Sequence, residues 1–362
     1  MIKLVDVLVQ PEQLIEVSPA TLSNIVAEAR YFNMLGQLKY HCNTRGVWSR
    51  LPKKFRQQLD TATLFYDNQR RKLAVETDEI AHALSPLNIN WIYLKGSAYH
   101  LNNMSNFSGR MMSDIDVLVQ EEDLPQVEAA LRSHGWMPAP VNSYDEKFYR
   151  NWSQEIPPLR HIYRQVELDV HFNILPKTLK ESINNKHLFE QSLPFSDDPN
   201  QKVLTPHAML AHSAIHLFYE SEYAKGLRDL YDIALLINHY SVEASFWDDL
   251  IELGRTIGNE SSIYLALRYS QQIYCSQIPT TVIDHYAQFR PNWLYLTVLD
   301  FCFFAIFTRS FPPHRKSGHG LAETFLYLRG HLKRMPLRLL VPHLTKKYFD
   351  KFKVKQQADE LI

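Results

Sequence analysis

The sequence of 362 residues has little cysteine, no net charge and no long uninterrupted apolar run. Its cysteines, Cys42, Cys275 and Cys302, are far apart, which argues against a disulfide framework or a cysteine zinc site and fits a reducing compartment. No repeat of fixed period and no low-complexity tract is present. With 45% hydrophobic and 22% charged residues, the composition is that of a globular protein rather than a fibrous or disordered one.

Signal-peptide and membrane-spanning patterns are also missing. Acidic residues and Pro11 interrupt the apolar N-terminal stretch before a signal-peptide pattern is complete. The most apolar window, 293–308, is short for a membrane span and contains Asp300, so it predicts a buried core helix. We therefore expect a cytoplasmic protein with no membrane span.

The distribution of periodicities predicts an α+β fold. Helical spacing of apolar residues covers about 18–84, where Ser18 and Pro19 form an N-cap and first-turn pair, and it returns from Pro206 nearly to the end. Strand-like alternation lies between these regions. We expect a small mixed β-sheet core wrapped by N- and C-terminal helices, with a helical region at 1–87, the α/β core at 88–204 and a helical domain at 205–362.

The stretch 91–119 carries the most informative pattern. A predicted strand leads into Gly96 and Ser97 at the start of a helix, where backbone N–H groups and a hydroxyl can meet phosphate oxygens. In the next predicted strand, Asp114 and Asp116 alternate with branched apolar residues. The period of two places both carboxylates on one face of that strand.

A third carboxylate is available from a later predicted strand, within 165–174. Asp169 is the preferred candidate, and Glu167 lies on the same face as the alternative. Three clustered carboxylates suit Mg²⁺, a hard cation that prefers oxygen ligands and retains substrate phosphates. Two such ions about 3.5–4 Å apart would stabilise the attacking and leaving oxygens of a displacement at phosphorus.

These motifs resemble a known signature. The run from Leu94 to Ser97, then Arg110, then the block 113–119 with its two aspartates resembles the polymerase-beta-like nucleotidyltransferase superfamily. The fuller pattern is similar to its subfamily of bacterial uncharacterised nucleotidyltransferases, with Asp169-Val170-His171 and the helical segment 212–232 as later parts. The resemblance covers roughly 89–237.

The resemblance implies a metal site and a nucleotide site. Asp114 and Asp116 would ligate two Mg²⁺ ions, with Mn²⁺ as an alternative. Asp169 would complete the metal site and act as base toward the acceptor hydroxyl.

The nucleotide would be a nucleoside triphosphate, with Gly96 and Ser97 holding its β- and γ-phosphates. The interval between Ser97 and Asp114 is longer than in compact superfamily members, so Lys95 and Arg110 are candidate phosphate contacts rather than assigned ones.

The predicted activity is transfer of a nucleoside monophosphate from a nucleoside triphosphate to an acceptor hydroxyl, with release of pyrophosphate. The acceptor is a small molecule, a protein or an RNA. Two alternatives stay open: a catalytically inactive nucleotide- or partner-binding module on the same fold, and a toxin-like enzyme that modifies transfer RNA.

The C-terminal region is strongly basic. The segment 309–355 has a net charge of about +10, with Glu323 and Asp350 as its acidic residues. The run either contacts nucleic acid, which would favour an RNA acceptor, or docks on the acidic remainder of the protein as a solvated helix face.

Two helical pairs have no assigned role. His212 and His216 have the i, i+4 spacing of a zinc pair, yet no third ligand is evident, so a buried core pair is favoured. Arg228 and Asp229 are expected to fix the helical domain against the α/β core.

Overall fold

A mixed β-sheet in the middle of the chain carries the candidate site. The structure is a computed structural model that describes residues 2–102, 104–179 and 185–346. The strands of the sheet follow the order β3-β4-β5-β2-β1-β7-β6 in the described residues. They are β1 (Trp91–Leu94), β2 (Ile115–Leu118), β3 (Trp136–Pro138), β4 (Leu159–His161), β5 (Glu167–His171), β6 (Ser192–Pro194) and β7 (Gln201–Leu204).

The two central strands are buried along their whole length. β1 and β2 are antiparallel neighbours, β2 pairs in parallel with β5, and β1 pairs in parallel with β7. Every residue of β1 and β2 is buried, as expected for strands covered on both faces. The parallel register places Asp116 of β2 beside Asp169 of β5.

Helices before, between and after the strands make up most of the chain. They are α1 (Leu4–Val9), α2 (Pro19–Tyr31), α3 (Leu35–Thr44), α4 (Lys53–Leu84), α5 (Lys95–Leu101), α6 (Leu124–Ser133), α7 (Ser143–Trp152), α8 (Asn185–Glu190), α9 (Pro206–Tyr219), α10 (Gly226–Tyr240), α11 (Phe246–Ile257), α12 (Glu260–Tyr274), α13 (Thr280–Ala287), α14 (Trp293–Arg309) and α15 (His319–Arg334). Residues 337–346 are also helical.

The predicted N-terminal helical region is confirmed, with local signals at its ends. The Ser18 hydroxyl caps α2 by accepting a hydrogen bond from the Thr21 N–H at 3.2 Å. The 32-residue α4 follows Pro52 and ends at Leu84, where Ser85–Leu87 form a short 3₁₀ turn. α1 was not predicted, because the apolar pattern of a six-residue helix is too short to recognise.

One continuous hydrophobic core joins all of these parts. It includes Leu4 of α1, the central strands, and Leu326 of α15. The α+β fold class is therefore confirmed, whereas the division of the chain at 87 and at 204 into domains stays a prediction.

α14 corresponds to the most apolar window of the sequence. Its inner face is buried, with Leu299 and Phe303 wholly so, but Trp293 is 78% exposed and Phe301 55% exposed. The helix therefore lies at the edge of the core with one face outward, not within the core as expected. None of the described helices is long and apolar enough to cross a membrane.

The segments 139–158 and 185–204 gave no clear sequence signal. The first contains α7, and the second contains α8 and the edge pair β6 and β7. Strands of three or four residues are shorter than the window in which an alternating pattern can be distinguished from chance.

Candidate active site

The predicted carboxylates meet on neighbouring strands. Asp116 lies on β2 directly opposite Asp169 on β5, and side chains that are opposite each other in a parallel pair project from the same face of the sheet. Asp114 immediately precedes the first residue of β2. Asp116 is buried with 3% exposure, whereas Asp114 and Asp169 are half-buried.

A network of charged side chains holds the Asp116 carboxylate. Lys95 Nζ donates to Asp116 Oδ1 at 2.7 Å, and His171 Nε2 lies 3.0 Å from the same oxygen. The other ring nitrogen of His171 lies 3.3 Å from Glu155 Oε2. Sequence reasoning missed Glu155, which reaches the site because its backbone bridges to His171 beyond the end of α7.

The network separates the pKa values of the carboxylates. Burial alone would raise the pKa of Asp116, but the Lys95 ammonium and the His171 ring hold it well below its ordinary range. Burial, then the neighbouring Asp116 charge, raises the pKa of Asp114. Burial, then Asp116 and Glu155, raises the pKa of Asp169 to about 7. Two of the three carboxylates thus lack an adequate counter-charge.

The cations of the network respond in the opposite way. Burial favours the neutral form of Lys95, yet Asp116 raises the pKa of Lys95 above its ordinary value. Burial also acts against charge on His171, while Asp116 and Glu155 raise the pKa of that ring. His171 is therefore a positioning residue for Asp116 rather than an isolated buried histidine.

A cleft of about 510 Å³ opens beside these residues. One wall belongs to the sheet side of the protein and the other to the C-terminal helices. The sheet-side wall includes Lys95, Gly96, Arg110, Asp114 and Asp116. The helical wall includes Glu220, Tyr223, Lys225, Arg228 and Arg334. Asp169 lies beside Asp116 but outside the lining of the cleft.

Arg110 joins the two walls. Its Nε donates to Asp232 Oδ2 of α10 at 2.6 Å, and its guanidinium lies 5.4 Å from the centre of the Tyr99 ring. Burial raises the pKa of Asp232 even though Arg110 and Arg228 act against this. Gly96 is needed here, because a Cβ at that position would meet Arg110 Nη1 and would lie 2.7 Å from Met112 Cγ.

The N-terminal helices hold the loop that carries Arg110 and Asp114. Gln69 of α4 accepts a hydrogen bond from the Met112 N–H at 2.8 Å and donates to the Met112 carbonyl oxygen. Gly36 of α3 and Gly109 are in direct backbone contact, since a Cβ on Gly36 would lie 2.8 Å from the Gly109 Cα. These helices therefore pack against the site as a support.

Two predicted residues lie elsewhere. The Ser97 hydroxyl is buried and donates to the Leu94 carbonyl oxygen at 2.8 Å, so it does not line the cleft. Glu167 pairs with Arg160 on the neighbouring strand, and its side chain is 40% exposed. The geometry thus favours Asp169 over Glu167 as the third carboxylate, while a phosphate role for Ser97 stays a prediction.

The two helical pairs differ in their surroundings. His212 is buried in α9, whereas His216 is half-buried and lines the cleft, and their ring centres are 6.3 Å apart. Burial, followed by the Lys95 charge, lowers the pKa of both rings. Arg228 pairs with Asp229 of its own helix at 3.0 Å. Contacts between the helical region and the core are made by Asp232, which pairs with Arg110, and by Lys225, which donates to the Ser113 hydroxyl.

The described part of the basic tail contacts the protein itself. Lys333 lies over the Tyr219 ring, Lys346 lies over the Tyr144 ring, and Arg334 pairs with Glu220 at 3.2 Å. Arg329 is buried. Residues 347–362, which include Lys347, Lys351, Lys353 and Lys355, lie outside the described residues. The predicted nucleic-acid contact therefore stays a prediction.

The carboxylates fit a divalent cation in chemistry but not in their present pairing. Asp114 and Asp169 are hard oxygen donors whose raised pKa values a cation would lower. In residues 2–102, 104–179 and 185–346, however, no group of three or more His, Cys, Asp or Glu side chains is close enough to hold a metal ion as it stands. At Asp116 the counter-charge is supplied by the Lys95 ammonium.

The sequence matches a family model over residues 18–274, and that family is described as uncharacterised nucleotidyltransferase. Neither the curated proteins nor the solved structures gave a match. The matched range includes β1, Asp114 with the following strand β2, the Asp169 strand β5, and the helices α9 and α10 beside the cleft. Because the match covers more than half of the chain, the protein belongs to this family of uncharacterised nucleotidyltransferases.

Proposed function

We propose that the protein transfers a nucleoside monophosphate from a nucleoside triphosphate to an acceptor hydroxyl in a reaction that depends on Mg²⁺ or Mn²⁺. The observation that supports this most is the register of Asp116 with Asp169, with Asp114 at the start of the same strand and a cleft beside them. A binding module has no need for carboxylates that raise each other's pKa, since their mutual repulsion opposes folding.

The chemistry is an in-line displacement at the α-phosphorus. The acceptor oxygen forms a bond to that phosphorus, the bond to the bridging oxygen breaks, and pyrophosphate leaves. Asp169, with its pKa near 7, takes the proton of the acceptor hydroxyl. Bound divalent cations would supply charge stabilisation for the leaving and attacking oxygens. Asp114, Asp116 and Asp169 would hold them.

The cationic side chains of the cleft suit a polyanionic nucleotide. Lys95 lies on the sheet-side wall next to Asp116. Arg110 lies on the same wall, and its Nε donates to Asp232. In this proposal both contact phosphate oxygens, Lys95 after its ammonium moves away from Asp116. The family assignment supports a nucleoside triphosphate as the donor, and we leave the base and the acceptor class open.

The test is a transfer assay with each α-labelled nucleoside triphosphate, Mg²⁺ or Mn²⁺, and separated small-molecule, protein and RNA fractions as acceptors. We expect label on one acceptor class together with pyrophosphate. Asp114→Asn should lower the rate by roughly a hundredfold or more, because Asp114 lines the cleft as a proposed metal ligand.

The matched control is Asp284→Asn, which changes an exposed carboxylate of α13 far from the cleft lining. It should transfer at the wild-type rate. Wild-type protein that releases no pyrophosphate with any nucleotide, metal and fraction, or an Asp114→Asn variant with normal transfer, would refute the proposed activity or its site respectively.

A further inference from the structure

We propose that the helical wall of the cleft contains a phosphate-binding subsite built from Tyr223 and Arg334. Only the identity of the molecule that carries the phosphate rests on the proposed function. That molecule is either the donor nucleotide, through its triphosphate, or the acceptor, through a phosphate group of its own. It assigns the C-terminal helices a direct part in substrate binding.

Two buried polar atoms at this wall have no hydrogen-bond partner in the described part of the chain. They are the Tyr223 hydroxyl and Arg334 Nε, and both residues line the cleft. The Tyr223 side chain is 8% exposed. Buried polar groups without a partner are uncommon, because each has lost its hydrogen bonds to water on folding. A ligand in the cleft is the natural source of the missing partner.

The wall that carries these atoms is firmly built. Arg334 Nη2 donates to Glu220 Oε2 at 3.2 Å, and Arg329 Nη1 donates to the Phe218 carbonyl oxygen at the end of α9 at 2.9 Å. Gly330 lets α15 approach the backbone at Ser221, where a Cβ would come within 2.5 Å of the Ser221 Cα. The donors are therefore positioned before any ligand arrives.

The position of Tyr223 is fixed by packing as well. Its ring makes edge contacts with Phe303 and Phe307, with ring centres 5.6 and 6.4 Å apart. Burial raises the pKa of the Tyr223 hydroxyl, and Arg329, Glu220 and Arg334 also act on it. The charged groups of the wall therefore act on the Tyr223 hydroxyl.

The chemistry of the donors identifies the ligand class. A guanidinium N–H can only donate, so the missing partner of Arg334 must be an acceptor oxygen. Arg228 is paired with Asp229, and Glu222 lies in the same lining, so the positive charge added beside Arg334 comes from Lys225. This ammonium favours an anionic oxygen as the acceptor. Phosphate oxygens satisfy both conditions and match the chemistry of the carboxylates across the cleft.

The subsite lies within reach of those carboxylates. Lys225 Nζ donates to the Ser113 hydroxyl at 2.8 Å, so the helical wall contacts the residue next to Asp114. The cleft volume of about 510 Å³ is in the range of small-molecule sites. A phosphate chain held at one wall can therefore extend to the other.

The test measures binding of tripolyphosphate and of orthophosphate to the full chain by calorimetry, in buffer with a chelator and no divalent cation. We expect the wild-type protein to bind tripolyphosphate, and Tyr223→Phe and Arg334→Lys each to weaken that binding by roughly tenfold or more. Tyr223→Phe keeps the ring packing, and Arg334→Lys keeps the charge while removing Nε. Tyr163→Phe, at a side chain that is 84% exposed, is the matched control and should bind as wild type.

Absence of tripolyphosphate and orthophosphate binding in the wild type, or wild-type affinity in both variants, overturns the subsite. In the transfer assay, a raised KM for the nucleotide in Tyr223→Phe assigns the phosphate to the donor, and a raised KM for the acceptor assigns it to the acceptor. Tripolyphosphate binding that depends on Tyr223 in a protein without transfer activity would overturn the proposed function and leave the subsite standing.

Discussion

Lys95 Nζ lies 2.7 Å from Asp116 Oδ1, the carboxylate oxygen that it shares with the His171 ring. Lys95 directly precedes Gly96, and its backbone φ is +50°. Such a value is uncommon for a residue that has a Cβ. An ammonium group at this distance both neutralises Asp116 and competes for its oxygen. The Lys95 ammonium therefore holds the Asp116 oxygen that we propose as a metal ligand.

The first prediction concerns this competition. Lys95→Met keeps the length of the stem and removes the charge, so Mn²⁺ should bind roughly tenfold more tightly than in the wild type, because the ammonium no longer repels it. Transfer should nevertheless slow, since Lys95 is expected to contact phosphate. Mn²⁺ titration followed by electron paramagnetic resonance measures the affinity.

The control for this prediction is Lys54→Met, at an exposed lysine of α4. It should leave Mn²⁺ affinity unchanged. Equal Mn²⁺ affinity in Lys95→Met and wild type would mean that Lys95 does not compete with the metal.

The second prediction is a pH dependence of stability set by Asp169. Its pKa in the folded protein, about 7, lies above the unfolded value of 3.8. The folded state therefore binds the proton more tightly, and ionisation of Asp169 opposes folding. The contribution of Asp169 to the free energy of unfolding is most favourable below pH 4. It declines as the pH rises from about 4 to 7, by at most about 1.4 kcal/mol per pH unit, and it is constant above pH 7.

Asp169→Asn should accordingly be more stable than the wild type at pH 8 and equally stable near pH 4, while losing transfer activity. Urea unfolding in chelator at several pH values measures the difference, with Asp284→Asn as the control. A stability difference that does not change between pH 4 and pH 8 would contradict the assignment of the raised pKa to Asp169.

The third prediction concerns the buried pair of Arg110 and Asp232. Arg110→Met leaves the Asp232 carboxylate buried without its main partner, so the free energy of unfolding should fall by about 3–5 kcal/mol. The double variant Arg110→Met with Asp232→Leu removes both charges and should regain most of that loss. Chemical denaturation of the two variants and the wild type measures the coupling.

Transfer activity should not return with stability in the double variant, because Arg110 lines the cleft as a candidate phosphate contact. Full recovery of the transfer rate would show that Arg110 acts only in holding the two walls together.

The fourth prediction concerns Gln69, which binds both backbone groups of Met112. Gln69→Leu leaves the Met112 N–H and carbonyl without partners in a half-buried setting, at a cost of about 2 kcal/mol in unfolding free energy. The transfer rate should fall by roughly tenfold, because the loop that carries Arg110 and Asp114 loses its support. Gln58→Leu, at an exposed position of the same helix, is the matched control. A normal rate in Gln69→Leu would mean that the loop keeps its position without α4.

The sequence was sufficient to predict the part of the site that follows strand periodicity. Asp114, Asp116 and Asp169 lie in segments whose alternating residues define one face, so their meeting on β2 and β5 could be expected once both strands were recognised. The sequence analysis preferred Asp169 but left Glu167 as an alternative, because both lie on the same face. The register of Asp169 with Asp116 and the pairing of Glu167 with Arg160 give the structural reason to prefer Asp169.

The contacts made between distant segments could not be predicted. Glu155 reaches His171 through a single bridge after α7, and Arg110 meets Asp232 across more than a hundred residues. No local pattern encodes such pairings. Arg228 and Asp229 were expected to fix the helical domain against the α/β core. They pair with each other instead, and Asp232 makes the long-range contact.

The backbone contact between Gly36 and Gly109 has a consequence for attempts to shorten the protein. All of the candidate site residues lie after residue 88, so a fragment that starts there would retain all three carboxylates. That fragment would nonetheless expose the rear of the loop where Gly109 now meets α3, and the loop would be free to move away from the cleft. We therefore expect the smallest active unit to begin near the start of α3 or earlier, far upstream of the first residue that touches substrate.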